Sequence, residues 1–418
     1  MLDLIKKLFP ICRSITGDGV RETLAIINEV IPVEVLEIPT GTRVFDWEVP
    51  REWNVREAYI ENSAGERIVD FENHNLHLMS YSVPVRRQMC LNELKEHLHS
   101  LPGQPTLIPY RTSYYDDNWG FCLPHDQLEA LEDDTYNVVI DTTLEPGHLT
   151  YGECLVPGAS NEEILVSTHI CHPSLCNDNL SGIAVTSHLA KQLLQQENRY
   201  SYRFLFVPVT IGAISWLASN DKQLDRIRYG LVASNLGNDA KFTYKKTRTG
   251  SSSIDHAVMH VLETAGVEHE IRGFLPYGYD ERQYGSPGIG LDVGSLSRTP
   301  YGEYPEYHTS ADNLSLVSEE RLEEALSLYA RVFETLENAR YFRNLAPKGE
   351  PQLGRRGLYK RIGGQTNQAE QQMAILWLLN KSDGQHNLLD IARLSGMSEG
   401  ILSAAADLLV EQGLLEAL

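Results

Sequence analysis

Glu163-Ile164-Leu165-Val166-Ser167-Thr168-His169-Ile170-Cys171-His172-Pro173-Ser174-Leu175-Cys176-Asn177-Asp178-Asn179-Leu180-Ser181-Gly182 opens as a strongly apolar run and closes on residues that suit a helix start. An apolar run without polar alternation is what a strand buried on both faces requires. Asp and Asn suit the helix start because their short side chains accept hydrogen bonds from the orphan amides of a first turn. Two further runs of the same kind follow, Phe204-Leu205-Phe206-Val207-Pro208-Val209 and Leu231-Val232-Ala233-Ser234, separated by helical stretches at 181–196 and 214–219. Buried strands alternating with helices predict an α/β body with a mixed sheet flanked by helices. In open sheets of this class ligands gather where strands end and helices begin, which makes the segment after Thr168 the first place to look for chemistry.

Working outward, residues 1–36 read as one or two helices with a loop at Gly17-Asp18-Gly19 and an apolar-periodic run from Val20 to Ile31. From about Val33 to Cys122 the text becomes short alternating segments broken by Pro, Gly and Asn, the pattern of a mostly antiparallel β module inserted over 37–122. The body is then 1–36 with 123–345, closed by a long helix over 318–339 whose Leu322, Ala325, Leu326, Tyr329 and Phe333 share one stripe. Residues 340–365 carry seven basic residues with several glycines and two prolines, so 346–365 reads as a linker. Over 366–418 three short helices are expected, at 369–380, 388–394 and 398–411, with the turn Ser395-Gly396-Met397-Ser398 joining the last two as in a helix-turn-helix.

Composition narrows the function classes. The 418 residues hold 36 Lys+Arg against 57 Asp+Glu, a net charge of −21 that disfavours polyanionic partners. No window approaches the ~18–20 apolar residues of a membrane-spanning helix, and the N-terminus lacks a secretory apolar stretch, so a cytoplasmic protein without membrane contact is expected. Six scattered cysteines point to free thiols or a metal role rather than a disulfide framework. The helix-turn-helix module does not suit DNA: residues 366–418 hold Lys381 and Arg393 against seven acids, 2 − 7 = −5, and the 398–411 helix has no basic residue. A docking or homo-oligomer role is expected for it, and no nucleic-acid partner.

Between Thr168 and Ser181 lie two imidazoles, two thiols and a carboxylate, a dense set of metal donors. His169 with Asp178 suits a zinc that keeps an open coordination position, and His172 is a further candidate ligand. Two plainer readings stay open: a helix cap at Asp178-Asn179, and a closed structural site of Cys171, Cys176, His169 and His172. A second, distant half is the Gly- and Tyr-rich run Tyr301-Gly302-Glu303-Tyr304-Pro305-Glu306-Tyr307-His308-Thr309-Ser310-Ala311-Asp312-Asn313, with His308 at its centre. Upstream, Tyr279-Asp280-Glu281-Arg282-Gln283-Tyr284 sets two adjacent carboxylates beside an arginine.

This order of motifs resembles the zinc-dependent aminopeptidase-like family, which includes bacterial aminopeptidases and glutaminyl cyclases. His169-Ile170-Cys171 sits at the family's H-x-D, and Asp178-Asn179-Leu180-Ser181-Gly182 matches its D-N-x-S-G. Asp280–Tyr284 with Gly288-Ile289-Gly290 sits at its fifth motif, and His308-Thr309-Ser310-Ala311-Asp312 matches its final H-T-x-x-D. The whole chain is similar to a subgroup, often described near polysaccharide biosynthesis, that inserts a small β domain and appends a winged helix over 366–418. The fragments that carry this run from Pro39-Thr40-Gly41 and Asp46–Trp53 through Pro109–Tyr115 and His169–Ser174 to Arg298–His308. The resemblance implies a phosphorylase/hydrolase-like mixed sheet.

The departures matter as much. Val209-Thr210-Ile211-Gly212 stands where the family has E-E-x-G, Asn235-Leu236-Gly237 where it has N-x-D, and Cys171 where an aspartate orients the first histidine. His169, Asp178 and His308 remain, enough for one zinc with an open position, and His172 is a substitute ligand. With the usual base missing, Glu281 is the first candidate to move the proton, with Asp280 beside it and Glu306 second; the plainer reading is that these acids hold the loop or bind substrate. The expectation is a zinc-dependent hydrolase of a small peptide or an amino-acid or sugar amide conjugate. The alternative is a non-catalytic binding or assembly protein that keeps the aminopeptidase shell. A transcription regulator is a third reading, against which the −5 module argues.

Overall fold

The computed structural model describes residues 1–358 and 368–418. The chain forms two compact units, one of residues 1–248 with 267–329 and one of residues 249–266 with 330–418. At the centre of the first lies an eight-stranded mixed sheet, in the order Glu34–Pro39, His148–Val156, Ser201–Val207, Glu163–His169, Ile227–Ala233, Val293–Ser297, Phe242–Lys245, His269–Arg272. Glu163–His169 runs parallel to both neighbours, and all seven of its residues are buried. Ile164, Leu165 and Val166 have no accessible surface, and each such side chain is worth about 1.5–3 kcal/mol when removed from water. Helices Gly182–Leu193 and Ile211–Asn220 follow the first two parallel strands of the sheet.

From Glu163–His169 the chain goes first to the strand on one side, Ser201–Val207, and then to the strand on the other, Ile227–Ala233. That reversal is a topological switch point, where strand ends leave a crevice. His169 is the last residue of the central strand, so the fold delivers it to that crevice.

A second, four-stranded antiparallel sheet has the order Arg67–Asp70, Glu52–Glu61, Thr135–Glu145, Val85–Cys90. Two strands changed partners relative to the sequence reading. Glu34–Pro39, whose alternation looked like part of the β module, pairs with His148–Val156 in the large sheet. Thr135–Glu145, expected with the body, joins the small one and pairs with both Glu52–Glu61 and Val85–Cys90. Alternation reports that one face of a strand is buried but not which sheet buries it.

Arg21, on the helix Asp18–Asn28, spans three segments of this unit. It donates to both carboxylate oxygens of Glu52, at 2.7 and 2.8 Å, and to Glu37 at 2.7 Å. Those hydrogen bonds hold the Glu52 carboxyl down at about 2, against the opposing effect of burial, and the His148 amide adds to them. A carboxyl depressed in the folded state stabilises the fold above its ordinary value near 4.5, and the contribution is lost as pH falls toward 2. We expect Glu52→Gln to cost about 1–2 kcal/mol at pH 7, the scale of a charged hydrogen bond discounted for partial solvent screening. Denaturant titrations at pH 7 and pH 2.5 should show a smaller pH dependence in the variant. An unchanged difference would remove Glu52 from the acid response.

In the second unit, strands Tyr341–Asn344, Asp383–Asn387 and Leu415–Ala417 form a three-stranded sheet with helices Gln368–Lys381, Leu388–Ser395 and Glu399–Glu411, a winged helix. The module therefore begins before 366, with the strand at 341. Part of the expected linker belongs to it as well, since Leu353 and Leu358 are buried in its core beside Phe342 and Leu378. Lys360 and Arg361 of the basic run lie outside the described residues. Among the described residues no helix is long and apolar enough to cross a membrane.

Candidate metal centre

Sequence dictates the local geometry of the turn from Cys176 to Gly182. Asn179 donates to the Thr168 hydroxyl at 2.8 Å and to the His169 carbonyl at 3.0 Å, and accepts from the Asn235 amide at 3.2 Å. Ser181 donates to the Asn177 carbonyl and accepts from the Leu236 amide. The turn is thereby tied to the ends of two parallel strands. Gly182 is needed for the close approach: a Cβ there would lie 2.4 Å from Asn179 Oδ1 and 2.7 Å from the Ala233 carbonyl oxygen. A helix cap alone would use the side chain of Asp178 on its own first turn. Here that side chain turns away from the helix.

Asp178, which has no exposed surface, receives His169 Nε2 on one carboxylate oxygen at 2.8 Å and His308 Nε2 on the other at 3.1 Å. The two halves of the motif set, 130 residues apart in the chain, thus converge on one carboxylate. His172 completes the group: ligand atoms of His169, His172 and Asp178 all lie within 4.8 Å of one another. Among the described residues this is the cluster whose spacing fits a metal ion, and neither thiol belongs to it. Burial pushes the Cys171 thiol up to about 12 and raises Cys176 as well, as for thiols that pack in the apolar interior.

The electrostatics suit a cation. Burial alone would push the Asp178 carboxyl up, but His172, His169 and His308 outweigh it and hold the group well below its ordinary value. Burial drives His172 down to about 3, which leaves its ring an uncharged donor of a lone pair. Its Nδ1, like that of His169, is buried without a hydrogen-bond partner among the described residues. The Cys171 sulfur, two residues along from His169, accepts the Val209 amide at 3.3 Å. His308 is held with φ = +54°, a left-handed conformation that a non-glycine residue keeps only when its surroundings enforce it.

Arg13 gave no signal in the sequence, and Asp312, Tyr110, Tyr279 and Tyr307 stood in the quoted runs without a positioning role. Arg13, fully buried, donates through Nε to the His172 carbonyl at 3.0 Å and through a terminal nitrogen to the Leu8 carbonyl at 2.7 Å, fixing the loop that carries His172. Asp312 accepts the Asn177 amide at 2.6 Å and the Asp178 amide at 3.0 Å, which aims Asp178; burial still raises its carboxyl to about 7. Tyr110, from the insertion, donates its amide to the His308 carbonyl at 2.8 Å and sets its ring edge-on to both His172 and His308. Tyr279 stacks on His169 and Tyr307 on His308.

The candidate proton carriers are placed unequally. Glu281 is 1% exposed and paired with Lys245 at 2.7 Å. Asp280 is buried with one oxygen unpartnered, and burial, reinforced by Glu281, raises its carboxyl well above the usual range. The adjacent arginine does not pair with it tightly; Arg282 sits over the Tyr277 ring, 5.6 Å from its centre. Glu306 is half-buried in the turn that carries His308. Its carbonyl accepts from the Thr309 amide and hydroxyl, and no hydrogen bond among the described residues engages its carboxylate.

Comparison with known proteins agrees with this architecture. Residues 2–339 match a family described as a domain of unknown function (DUF4910), and residues 340–417 match a winged helix-turn-helix family. A Clostridium acetobutylicum protein, provisionally named a polysaccharide biosynthesis protein with an aminopeptidase-like domain, is 51% identical over 99% of this chain and 95% of its own. A crystal structure from the same organism, of a provisionally assigned peptidase, superposes with a TM-score of 0.85 at 50% identity, covering 100% of this chain and 96% of that one. A zinc aminopeptidase from Bacillus subtilis (TM-score 0.58, 14% identity, 80% of this chain and 93% of that one) shares the fold. So does a peptidase M28 precursor from Shewanella amazonensis (TM-score 0.56, 13% identity, 81% and 93%). By the match over residues 2–339 and the relative at 51% identity, the chain belongs to the DUF4910 family, an aminopeptidase-like α/β body followed by a winged helix.

Proposed function

We propose that the chain is a zinc-dependent amide hydrolase of the aminopeptidase-like class, acting on a small peptide or an amide conjugate. The observation that carries the reading is the Asp178 carboxylate shared between His169 and His308, with His172 alongside. His169, Asp178 and His308 would hold the ion, and His172 would stand in for an absent carboxylate ligand. A zinc held there supplies Lewis-acid polarisation of the substrate carbonyl. Arg13 and Asp312 keep His172 and Asp178 in place through their backbone groups. Glu306 takes the proton of the attacking water and passes it to the departing nitrogen. Glu281, buried and paired with the Lys245 ammonium, is less free to meet a water.

Elemental analysis of the purified protein should find zinc, and an anomalous difference map should place it between His169 and His308. We expect His308→Ala to lose at least about tenfold in zinc affinity and to abolish amide cleavage, with the fold retained. One observation favours a second reading, a binding protein without catalysis: Val209-Thr210 stands where the aminopeptidase-like pattern has two glutamates, so the usual base and one usual ligand are absent from that position. Stoichiometric zinc with no turnover across a broad aminoacyl and acyl-amide panel would select it. For the winged helix, whose 366–418 segment carries −5, we propose docking or self-association rather than duplex binding.

A further inference from the structure

Among the described residues, the non-glycine positions with a left-handed backbone gather in two places. Ser174, Asn235 and His308 (φ = +46°, +53° and +54°) lie in segments that build the candidate metal centre. Phe45, Tyr81 and Tyr115 (φ = +57°, +69° and +69°) are all aromatic and are none of its ligands. A bulky ring is a costly occupant of that region, and strain of this kind gathers at functional sites.

Tyr81 and Tyr115 line one cleft of about 220 Å³. Trp47 meets the Tyr115 ring at 5.5 Å, tilted by 53°, and Phe45 sits at the turn of the hairpin that carries Trp47. Tyr81 is buried and stacked on Trp53, which fixes one wall, while Trp47 and Tyr115 stand 47% and 51% exposed. Two large rings held half in water still have apolar faces to cover.

The polar groups of the cleft narrow what can cover them. Its lining carries three acids, Glu48, Asp116 and Asp117, against one arginine, Arg51, which is paired with Asp117. Among the described residues no hydrogen bond or ion pair engages the carboxylates of Glu48 and Asp116, the Trp47 indole N–H or the Tyr115 hydroxyl. Surplus negative charge repels phosphates, nucleotides and acidic sugars, and it attracts a cation, as ring faces also do. A simple alkylammonium offers donors only and leaves the indole N–H without an acceptor. Sugar hydroxyls both donate and accept, and the C–H face of a pyranose is flat enough to lie on a ring.

We propose that this cleft binds a cationic amino sugar, a pyranose bearing a free ammonium. The rings of Trp47 and Tyr115 receive the sugar, and the carboxylates of Glu48 and Asp116 take the ammonium. None of these residues belongs to the metal cluster, so the site stands whether or not the chain is a hydrolase.

Calorimetric titration of the full chain at pH 6, where amines are charged and exposed carboxylates ionised, tests this. The probes are a glucosamine trimer, cellotriose as its neutral counterpart, and spermidine as a cation without a sugar. The glucosamine trimer should bind at least about tenfold more tightly than either, the scale of one charge-assisted hydrogen bond. Tyr115→Gly, which suits the left-handed backbone, should weaken the trimer about tenfold with circular dichroism unchanged. Glu48→Gln combined with Asp116→Asn should bring the trimer down to the level of cellotriose. Cellotriose binding as tightly as the glucosamine trimer overturns the proposal, because the carboxylates then select no charge. Spermidine binding as tightly overturns it too, since an acidic surface alone would explain the affinity. Full trimer affinity in Tyr115→Gly, or no saturable binding of the trimer by the wild type, removes the site altogether.

Discussion

Asp178→Asn is expected to strip the protein of zinc while leaving its sheet folded, with affinity falling by at least about 100-fold, the upper end of what losing an outer-shell partner costs. The size follows from the sharing. One carboxylate meets two imidazoles on opposite oxygens, so a single change removes the negative charge that both histidines face. An amide has nearly the same shape but presents a donor on one side, where His169 or His308 needs an acceptor. With no accessible surface at this position, water cannot replace the lost partner. Competition against a chromophoric chelator measures the affinity, and circular dichroism checks that the fold survives. Wild-type zinc affinity in this variant would show that Asp178 holds no ion and that its two hydrogen bonds are structural only.

Much of this was legible because the chemistry is local. The run into His169, the Asp178–Gly182 turn and the His308 loop each announce themselves by residue type, and the structure brings them together. What was not legible depends on pairing at a distance. Arg13 gave no signal, since one arginine near the N-terminus says nothing of a carbonyl 159 residues away. Lys245 could not be assigned to Glu281 for the same reason, so an acid that looked available is paired. Tyr110 and Tyr279 were visible as tyrosines but not as the rings that face the histidines. The strands Glu34–Pro39 and Thr135–Glu145 were recognisable as strands, and only their partners decided which sheet they join. The candidate linker failed for an opposite reason. Its basic residues and glycines dominated the composition, while two leucines settled where part of it packs.

Asp390→Ala should produce the largest loss of stability in the C-terminal unit, about 3–5 kcal/mol, because it leaves several buried groups without their partner at once. Asp390 is 2% exposed and receives Ser253 Oγ and His256 Nδ1, each at 2.7 Å, one on each oxygen. It also accepts the Asn387 amide at 2.9 Å, closing the capping box at the start of Leu388–Ser395. The helix Ser253–Ala265 is therefore fastened to that start through one side chain. Alanine would keep the Asn387 cap on the residue-390 amide but remove the reciprocal half of the box, leaving the Asn387 amide, a buried imidazole and a hydroxyl without their acceptor, and each unsatisfied group adds its own desolvation cost. Hydrogen exchange reads the effect where it occurs: amides of Leu388–Ser395 should exchange roughly two to four orders of magnitude faster, as 3–5 kcal/mol requires where the opening equilibrium sets the exchange rate. Asp390→Asn keeps an acceptor for part of the set and should fall between. Exchange at the wild-type rate in the alanine variant would mean that the apolar contacts of Leu388 and Ile391 alone hold the helix, and that the buried Ser253, His256 and Asp390 cluster contributes nothing to its stability.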